Sequence, residues 1–470
     1  MSARVTIRDL MTDQTLFGSQ FGGDSFAAWR ALLAAFYGLP LDDAETAIYR
    51  MLTSRSDAPQ VAFNELWLAM GRRGGKTQGG GLLAVYHAPF MDYRAKLAPG
   101  EIATVLLIAA DRAQARSAMR YVKGLCEHPM IAPMVKRETE TTIEFTNNTA
   151  IEIATGSFRS VRGYTLAAVI ADEIAFWQSE GASPDKETIA AVRPGLATLG
   201  GPLIALSSPY AKRGELWRTY KTHYGKDSER ILVAQAPSRI MNPTLPQTVV
   251  DDAMRDDREH AMAEYMAEFR SDISSLIDPG LLDDCTRPKP LELHPVDGVT
   301  YHAFADPAGG GADEFTISIG HHEKDHCVVD LVRGRRGSPA EIVGEFAGIL
   351  KNYGITRVSG DRYAGRWPRD EFEKHSIVYD VSEMDRSALY LEFLAKLNSG
   401  RVELPPCEKT VRQFAGLERR TSRSGRDSID HAPGGHDDRA NAVAGVVAHM
   451  TQRHANVAMI LRKRNRRVAA

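Results

Sequence analysis

Between Asn64 and Ala236 the chain carries five short, almost wholly apolar runs: Leu66–Met70, Val105–Ala110, Ala167–Ala171, Leu203–Leu206 and Ile231–Ala234. Runs of this length without polar alternation read as strands covered on both faces. The mixed polar and apolar stretches between them, such as Arg112–Cys126 and Gly214–Tyr224, read as helices. Strands alternating with helices predict an α/β domain built on a mostly parallel sheet, placed over residues 61–240. Upstream, Phe26–Tyr37 and Asp42–Met51 predict a small helical cap within residues 1–60.

After this domain the pattern loosens. Ala236–Gln247 is rich in Pro, Ser and Asn, Asp251–Phe269 is a charged helical stretch, and Ser274–Pro295 is Pro-rich. Residues 241–297 are therefore expected to be a linker. From Val299 three strand-like runs follow in quick succession, Thr300–Ala305, Phe315–Gly320 and Cys327–Val332, separated by turns that include Gly309–Gly311. A helix (Pro339–Tyr353), a strand (Ile355–Gly360), a further helix–strand pair and helices at Arg386–Asn398 and Asp437–Met450 complete the order. Three strands and then alternation is the order of an RNase H-like domain, placed at 298–455 by analogy of pattern. The end of the chain, with Arg462, Lys463, Arg464, Arg466 and Arg467, reads as a basic tail over 456–470.

Composition narrows the picture by exclusion. Lys plus Arg is 58 and Asp plus Glu is 60, so the net charge of −2 offers no global argument for nucleic-acid binding. A surface for such a partner has to come from how the charges are placed. Cys126, Cys285, Cys327 and Cys407 form no CxxC pair, which disfavours a zinc ribbon or a disulfide framework. Arg4, Arg8 and Asp9 precede any apolar stretch, and the longest uncharged run, Gly195–Ala211, is short and broken by Gly and Pro. The expectation is a cytoplasmic protein without a signal peptide or membrane span.

The first strand runs directly into Gly71-Arg72-Arg73-Gly74-Gly75-Lys76-Thr77. Glycines let backbone N–H groups approach phosphate oxygens, and a helix starting near Lys76 adds its positive end. Lys76 would reach the β- and γ-phosphates of ATP, and the Thr77 hydroxyl would ligate Mg²⁺. The motif departs from GxxxxGK[ST], because Met70 holds the usual first-glycine site. Ala167–Ala171 ends in Asp172-Glu173, where Asp172 would hold Mg²⁺ and Glu173 would polarise the attacking water. Ser207-Ser208-Pro209 ends the next strand and is either a γ-phosphate sensor or a plain turn. Arg159 or Arg162 is either an arginine finger or a DNA-phosphate or loop residue.

A second set of acids lies in the RNase H-like part. Asp306 ends its first strand, Asp361 its fourth, and Asp437-Asp438 begin the last helix. In that topology strands one and four are adjacent, so these carboxylates converge and require divalent cations to offset their repulsion. Two Mg²⁺ or Mn²⁺ ions held there would activate water and stabilise the leaving oxygen of a phosphodiester. Singly, each acid also reads as a turn former, an ion-pair partner or a helix cap. Asp438 is favoured over Asp437, because Asn441 lies three residues on along the helix. Asp313 is a weaker candidate, and His321, His322 and His326 read as surface residues of a turn.

The combination resembles the large terminase subunit of tailed bacteriophages over roughly Asn64 to Met450. The arginine-bearing loop at 71–77 (with Arg72, Gly74, Gly75, Lys76 and Thr77 as nucleotide-binding residues), Arg162-Gly163-Tyr164 leading into Asp172-Glu173, Ser207-Ser208-Pro209 as a coupling motif, and His436-Asp437-Asp438 as the final nuclease motif carry the likeness. Asn441 departs from it, since the family commonly has an acidic residue there. The resemblance implies an ATP-driven motor that packages double-stranded DNA through a portal protein into a procapsid in the host cytoplasm. It also implies a homo-oligomeric ring, commonly a pentamer, a small terminase subunit as partner, and an endonuclease that cuts concatemeric DNA. Two other readings stand beside it. One is a helicase-like or repair ATPase with an attached nuclease, disfavoured by the lack of a clear second motor domain after Pro209. The other is a non-catalytic docking protein, disfavoured by the intact Lys76, Thr77, Asp172 and Glu173.

Overall fold

The structure is a computed structural model and describes residues 5–155, 163–177, 184–307, 313–361, 366–421, 427–432 and 435–451. It divides into two compact units, Met1–Ser271 and Asp272–Ala470.

The first unit is organised by strands β1 (Glu65–Met70), β2 (Ala103–Ala109), β3 (Val135–Glu138), β4 (Thr142–Phe145), β5 (Thr149–Thr155), β6 (Thr165–Asp172), β7 (Leu203–Ser207) and β8 (Ile231–Ala236). They form one sheet in the order β3-β4-β5-β2-β6-β7-β1-β8. The pairings from β5 through β8 are all parallel, whereas β3–β4 and β4–β5 are antiparallel. Side chains alternate across the sheet with the strand period of two. On β1, Leu66, Leu68 and Met70 enter one core with helices Ala27–Phe36, Lys76–His87 and Arg112–Cys126. Trp67 enters the opposite core with helices Pro184–Ala197 and Gly214–His223. Two covered faces explain the continuous apolar runs.

Strands β3–β5, on one side of the sheet, were not among the expected strands. β3 and β4 are four residues each and partly exposed, and β5 carries Thr149, Glu152 and Thr155 among its apolar residues. The N-terminal helices share the core of the sheet through Trp29, Leu32, Leu33, Phe36, Tyr49 and Leu52. The stretch 241–297 is divided between the units. Helices Ser238–Met241, Gln247–Asp256 and Arg258–Met266 belong to the first, and Gln235 Nε2 donates to Ala267 O at 2.8 Å to tie the run to β8.

The second unit contains β9 (Ile273–Ser275), β10 (Tyr301–Asp306), β11 (Phe315–Glu323), β12 (His326–Arg335), β13 (Arg357–Gly360), β14 (Val378–Val381), β15 (Val402–Glu403), β16 (Leu417–Thr421) and β17 (Asp427–His431). The main sheet has the order β14-β13-β10-β11-β12-β15. β10, β11 and β12 are antiparallel neighbours, and β13 lies parallel to β10 on its other side. That is the RNase H-like strand order. A smaller antiparallel sheet, β17-β16-β9, accompanies it.

Helix Pro339–Asn352 covers the face bearing Ala303 and Ala305, through Val343 and Phe346. Helix Arg386–Asn398 and the helix over residues 438–451 cover the Phe304 face. A Cβ on Gly445 would sit 2.3 Å from the Phe304 ring, so a residue without a side chain is what lets this last helix lie so close to β10. His321 and His322 lie within β11, not in a turn as expected, and His321 is buried. The hairpin turn is confined to Lys324–Asp325, so the strand runs on through Glu323. All four cysteines are free thiols. Among the described residues no helix is long and apolar enough to cross a membrane.

Candidate functional site

Two sites emerge, one in each unit. The first lies at the carboxyl ends of three adjacent strands, β6, β7 and β1. The registers Ala69↔Ser207 and Asp172↔Leu206 bring their tips level. In an open α/β sheet this edge is where ligands bind. Residues 71–75 turn from β1 into helix Lys76–His87, with Gly75 as N-cap at φ 90°, a conformation glycine adopts without strain. Lys76 is 8% exposed, and its ammonium lies 2.7 Å from Ser208 Oγ, 3.3 Å from Met70 O and 3.3 Å from Glu173 Oε1. Glu173 takes a left-handed backbone at φ 51°, strained for a residue with a side chain. Its Oε2 accepts from Ser208 N at 3.0 Å and lies 3.1 Å from Ser207 Oγ.

Asp172 is 5% exposed. Burial, and then the neighbouring Glu173, raise its pKa to about 7, while Lys76 opposes the shift. Its Oδ1 is buried without a hydrogen-bond partner. A buried, unsatisfied carboxylate oxygen beside a phosphate loop fits a Mg²⁺ ion, which would satisfy the oxygen and favour the ionised form. Thr77, at the second position of the helix, is half-buried. Arg72, expected at the nucleotide, instead pairs with Glu264 at 3.0 Å. Arg159 and Arg162 lie outside the described residues.

The second site gathers the tips of β10 and β13 and the start of the last helix. Asp306 ends β10, and the N–H of Asp361, just beyond β13, donates to Ala305 O at 3.3 Å. Asn441 Nδ2 donates to Asp361 Oδ2 at 3.2 Å, and the Asn441 side chain also hydrogen-bonds Asp306. Burial drives the Asp306 carboxyl well above the usual carboxylate range, with Asp361, Asp437 and Asp438 adding repulsion and Asn441 opposing it. Asp437 is 6% exposed and accepts from Tyr390 OH at 2.7 Å and Arg386 Nη1 at 3.4 Å. Asp438 has different partners. Its Oδ2 accepts from Glu314 N at 3.1 Å, and burial and then Asp313 raise its pKa. Asp313, His436 and Asp438 place one ligand atom each within 4.8 Å of one another.

The structure thus brings together all four acids expected from the sequence: Asp361, Asp437 and Asp438 each add to the repulsion on Asp306. The buried Asn441 Oδ1 has no partner. Converging carboxylates and an orphaned amide oxygen form an all-oxygen donor set that fits hard divalent cations. Tyr390 and Arg386 on Asp437, and Trp29, Ser238 and Asn242 around the phosphate loop, were not among the expected residues. They come from distant segments and carry no motif of their own.

No known family profile matches the chain, and no curated protein does. Phage large terminases are among the solved structures it is similar to. That of bacteriophage HK97 shares 14% identity at a TM-score of 0.38, covering 90% of this chain and 99% of that one. The large terminase of a thermophilic bacteriophage shares 12% at a TM-score of 0.40, covering 90% and 98%. The large terminase nuclease of thermophilic phage G20c shares 17% at a TM-score of 0.32, covering 37% and 96%. At these values the likeness adds no weight of its own, and the α/β assignment, a P-loop type sheet followed by an RNase H-like sheet, rests on strand order and on the two sites.

Proposed function

We propose that the protein is the ATPase and metal-dependent endonuclease of a viral DNA-packaging machine. The carrying observation is the pairing in one chain of a Lys76–Glu173–Ser208 cluster at a phosphate loop with the Asp306–Asp361–Asp437 cluster on an RNase H-like sheet. The first suits hydrolysis of a nucleotide and the second suits hydrolysis of a phosphodiester.

In the ATPase, Lys76 exchanges its contacts with Met70 O, Ser208 and Glu173 for the β- and γ-phosphates of ATP. That exchange leaves the Glu173 carboxylate held by Ser208 N and free to take a proton from the attacking water. Thr77 and Asp172 would hold Mg²⁺, which neutralises developing phosphate charge. Arg162 remains the proposed arginine finger, and Gly74 and Gly75 shape the phosphate-binding loop. In the nuclease, Asp306, Asp361 and Asp437, with Asp438 adjoining, would hold Mg²⁺ or Mn²⁺, which lowers the pKa of water and stabilises the leaving oxygen. Tyr390 and Arg386 orient Asp437, and Asn441 orients Asp306 and Asp361. The packaging role, with double-stranded DNA, a portal protein, a small terminase subunit and a homo-oligomeric ring as partners, rests on the sequence resemblance and belongs to this proposal.

ATP hydrolysis and plasmid cleavage measured in parallel test it. Lys76→Ala is expected to lower ATP turnover by about 100-fold or more, and Asp306→Ala to lower metal-dependent cleavage by a similar factor. Cleavage that persists in Asp306→Ala, Asp361→Ala and Asp437→Ala sinks the nuclease assignment.

A further inference from the structure

Three consecutive backbone carbonyls of the phosphate loop each accept a hydrogen bond from a side chain outside the loop. Ser238 Oγ donates to Arg72 O at 2.6 Å, Asn242 Nδ2 to Arg73 O at 3.0 Å, and Trp29 Nε1 to Gly74 O at 2.8 Å. Trp29 and Ser238 are buried, and Asn242 is half-buried. Trp29 comes from helix Ala27–Phe36, Ser238 from the short helix Ser238–Met241 after β8, and Asn242 is the C-cap of that helix. On the Ser238 side, Arg72 is clasped twice more, by its N–H to Glu264 O and by its guanidinium to the Glu264 carboxylate.

A peptide unit is planar, and in the trans form its C=O and N–H point in opposite directions. Turning the carbonyls of residues 72, 73 and 74 outward therefore turns the N–H groups of Arg73, Gly74 and Gly75 the other way. Successive N–H groups directed into one concavity are what binds phosphate. Arg73 lies between two anchored carbonyls at φ 62°, a left-handed backbone that a residue with a side chain holds only when its surroundings enforce it.

We propose that Trp29, Ser238 and Asn242 are positioning residues that pre-organise the N–H groups of Arg73, Gly74 and Gly75 for the triphosphate of ATP. This inference rests on the ATPase reading above and extends it to segments outside the motif. The helical segment before β1 and the segment after β8 both become parts of the nucleotide site. Because the anchors act on the loop and not on the reacting atoms, they support ground-state and transition-state binding alike.

The test is steady-state ATP hydrolysis by the full chain with Trp29→Phe, Ser238→Ala and Asn242→Ala, alongside binding of a non-hydrolysed ATP analogue. Trp29→Phe keeps an aromatic ring but loses the donor and some buried volume, so Ser238→Ala and Asn242→Ala test the hydrogen bonds with the least change in packing. Each variant is expected to raise KM for ATP, and to weaken analogue binding, by about five- to tenfold, with kcat within about twofold of wild type. A merely structural role would instead lower the active fraction, so kcat would fall while KM stayed unchanged. Asn242→Ala keeps the proposal testable if a buried variant fails to fold, because Asn242 lies partly at the surface. Unchanged KM and unchanged analogue binding in the folded variants overturn the inference and leave the ATPase reading standing. Absence of ATP turnover and of analogue binding in wild type overturns both.

Discussion

Asp172 shows how a single carboxyl at a strand tip can report on its site. Its pKa of about 7, against an ordinary 3.8, means that the folded chain keeps a proton the unfolded chain releases. Stability of the first unit therefore falls as pH rises from 3.8 to about 7 and levels off above that. Asp172→Asn removes the penalty and is expected to stabilise the metal-free protein by a few kcal/mol at about pH 8, with the gain shrinking toward acid pH. Thermal unfolding at both pH values checks this, and equal midpoints for the two proteins at the higher pH would contradict it. At this scale the motif residues were legible because their chemistry is tied to fixed spacing. What each acid of Asp437-Asp438 is held by was not, since adjacent residues at a helix start differ only in the direction the fold gives them. The structure ties Asp437 to Tyr390 and Arg386, and Asp438 to Glu314 N.

The β11–β12 hairpin carries its own electrostatic pin. His321 Nδ1 and Asp330 Oδ2 are 2.8 Å apart across the pair of strands, and both residues are buried. The hydrogen bond to Asp330 raises the His321 pKa above 6.5 against the cost of burial. A histidine with a raised folded pKa contributes stability that is full below its unfolded value and is lost as pH rises through the folded one. His321→Leu is expected to flatten this dependence and to destabilise the unit by about 3 kcal/mol, because Asp330 loses its partner. Chemical denaturation across neutral pH measures both effects, and an unchanged midpoint would remove the pin from the account. The central strands of each sheet were legible because a strand covered on both faces has to be apolar throughout. Strands β3–β5 and the short helix Ser238–Met241 were not, since short or partly polar elements share their composition with loops, whereas the charged stretch Asp251–Phe269, read as helical, carries helices Gln247–Asp256 and Arg258–Met266.

At the scale of the whole molecule, each compact unit has its own cores and its own site. Lys76→Ala is therefore expected to spare metal-dependent DNA cleavage, and Asp306→Ala to spare ATP hydrolysis. A fragment beginning at Asp272 should fold and cut DNA without hydrolysing ATP. Circular dichroism and plasmid cleavage decide the matter, and an unfolded fragment would show that the second unit depends on the first. The net charge of −2 looked uninformative for a DNA-handling protein. Acids gathered into two candidate metal clusters lower the net charge without making the remaining surface acidic.

What the sequence determined by itself was the class of each unit and the acids, lysine and glycines of the two sites, because strand periodicity and motif spacing are local properties. What only the tertiary structure decided was how those residues are held. Trp29 lies 45 positions from Gly74, Ser238 lies 166 from Arg72, and Asn441 lies 80 from Asp361. A hydrogen bond between such residues depends on how strands and helices pack in space, and no local spacing along the chain encodes it.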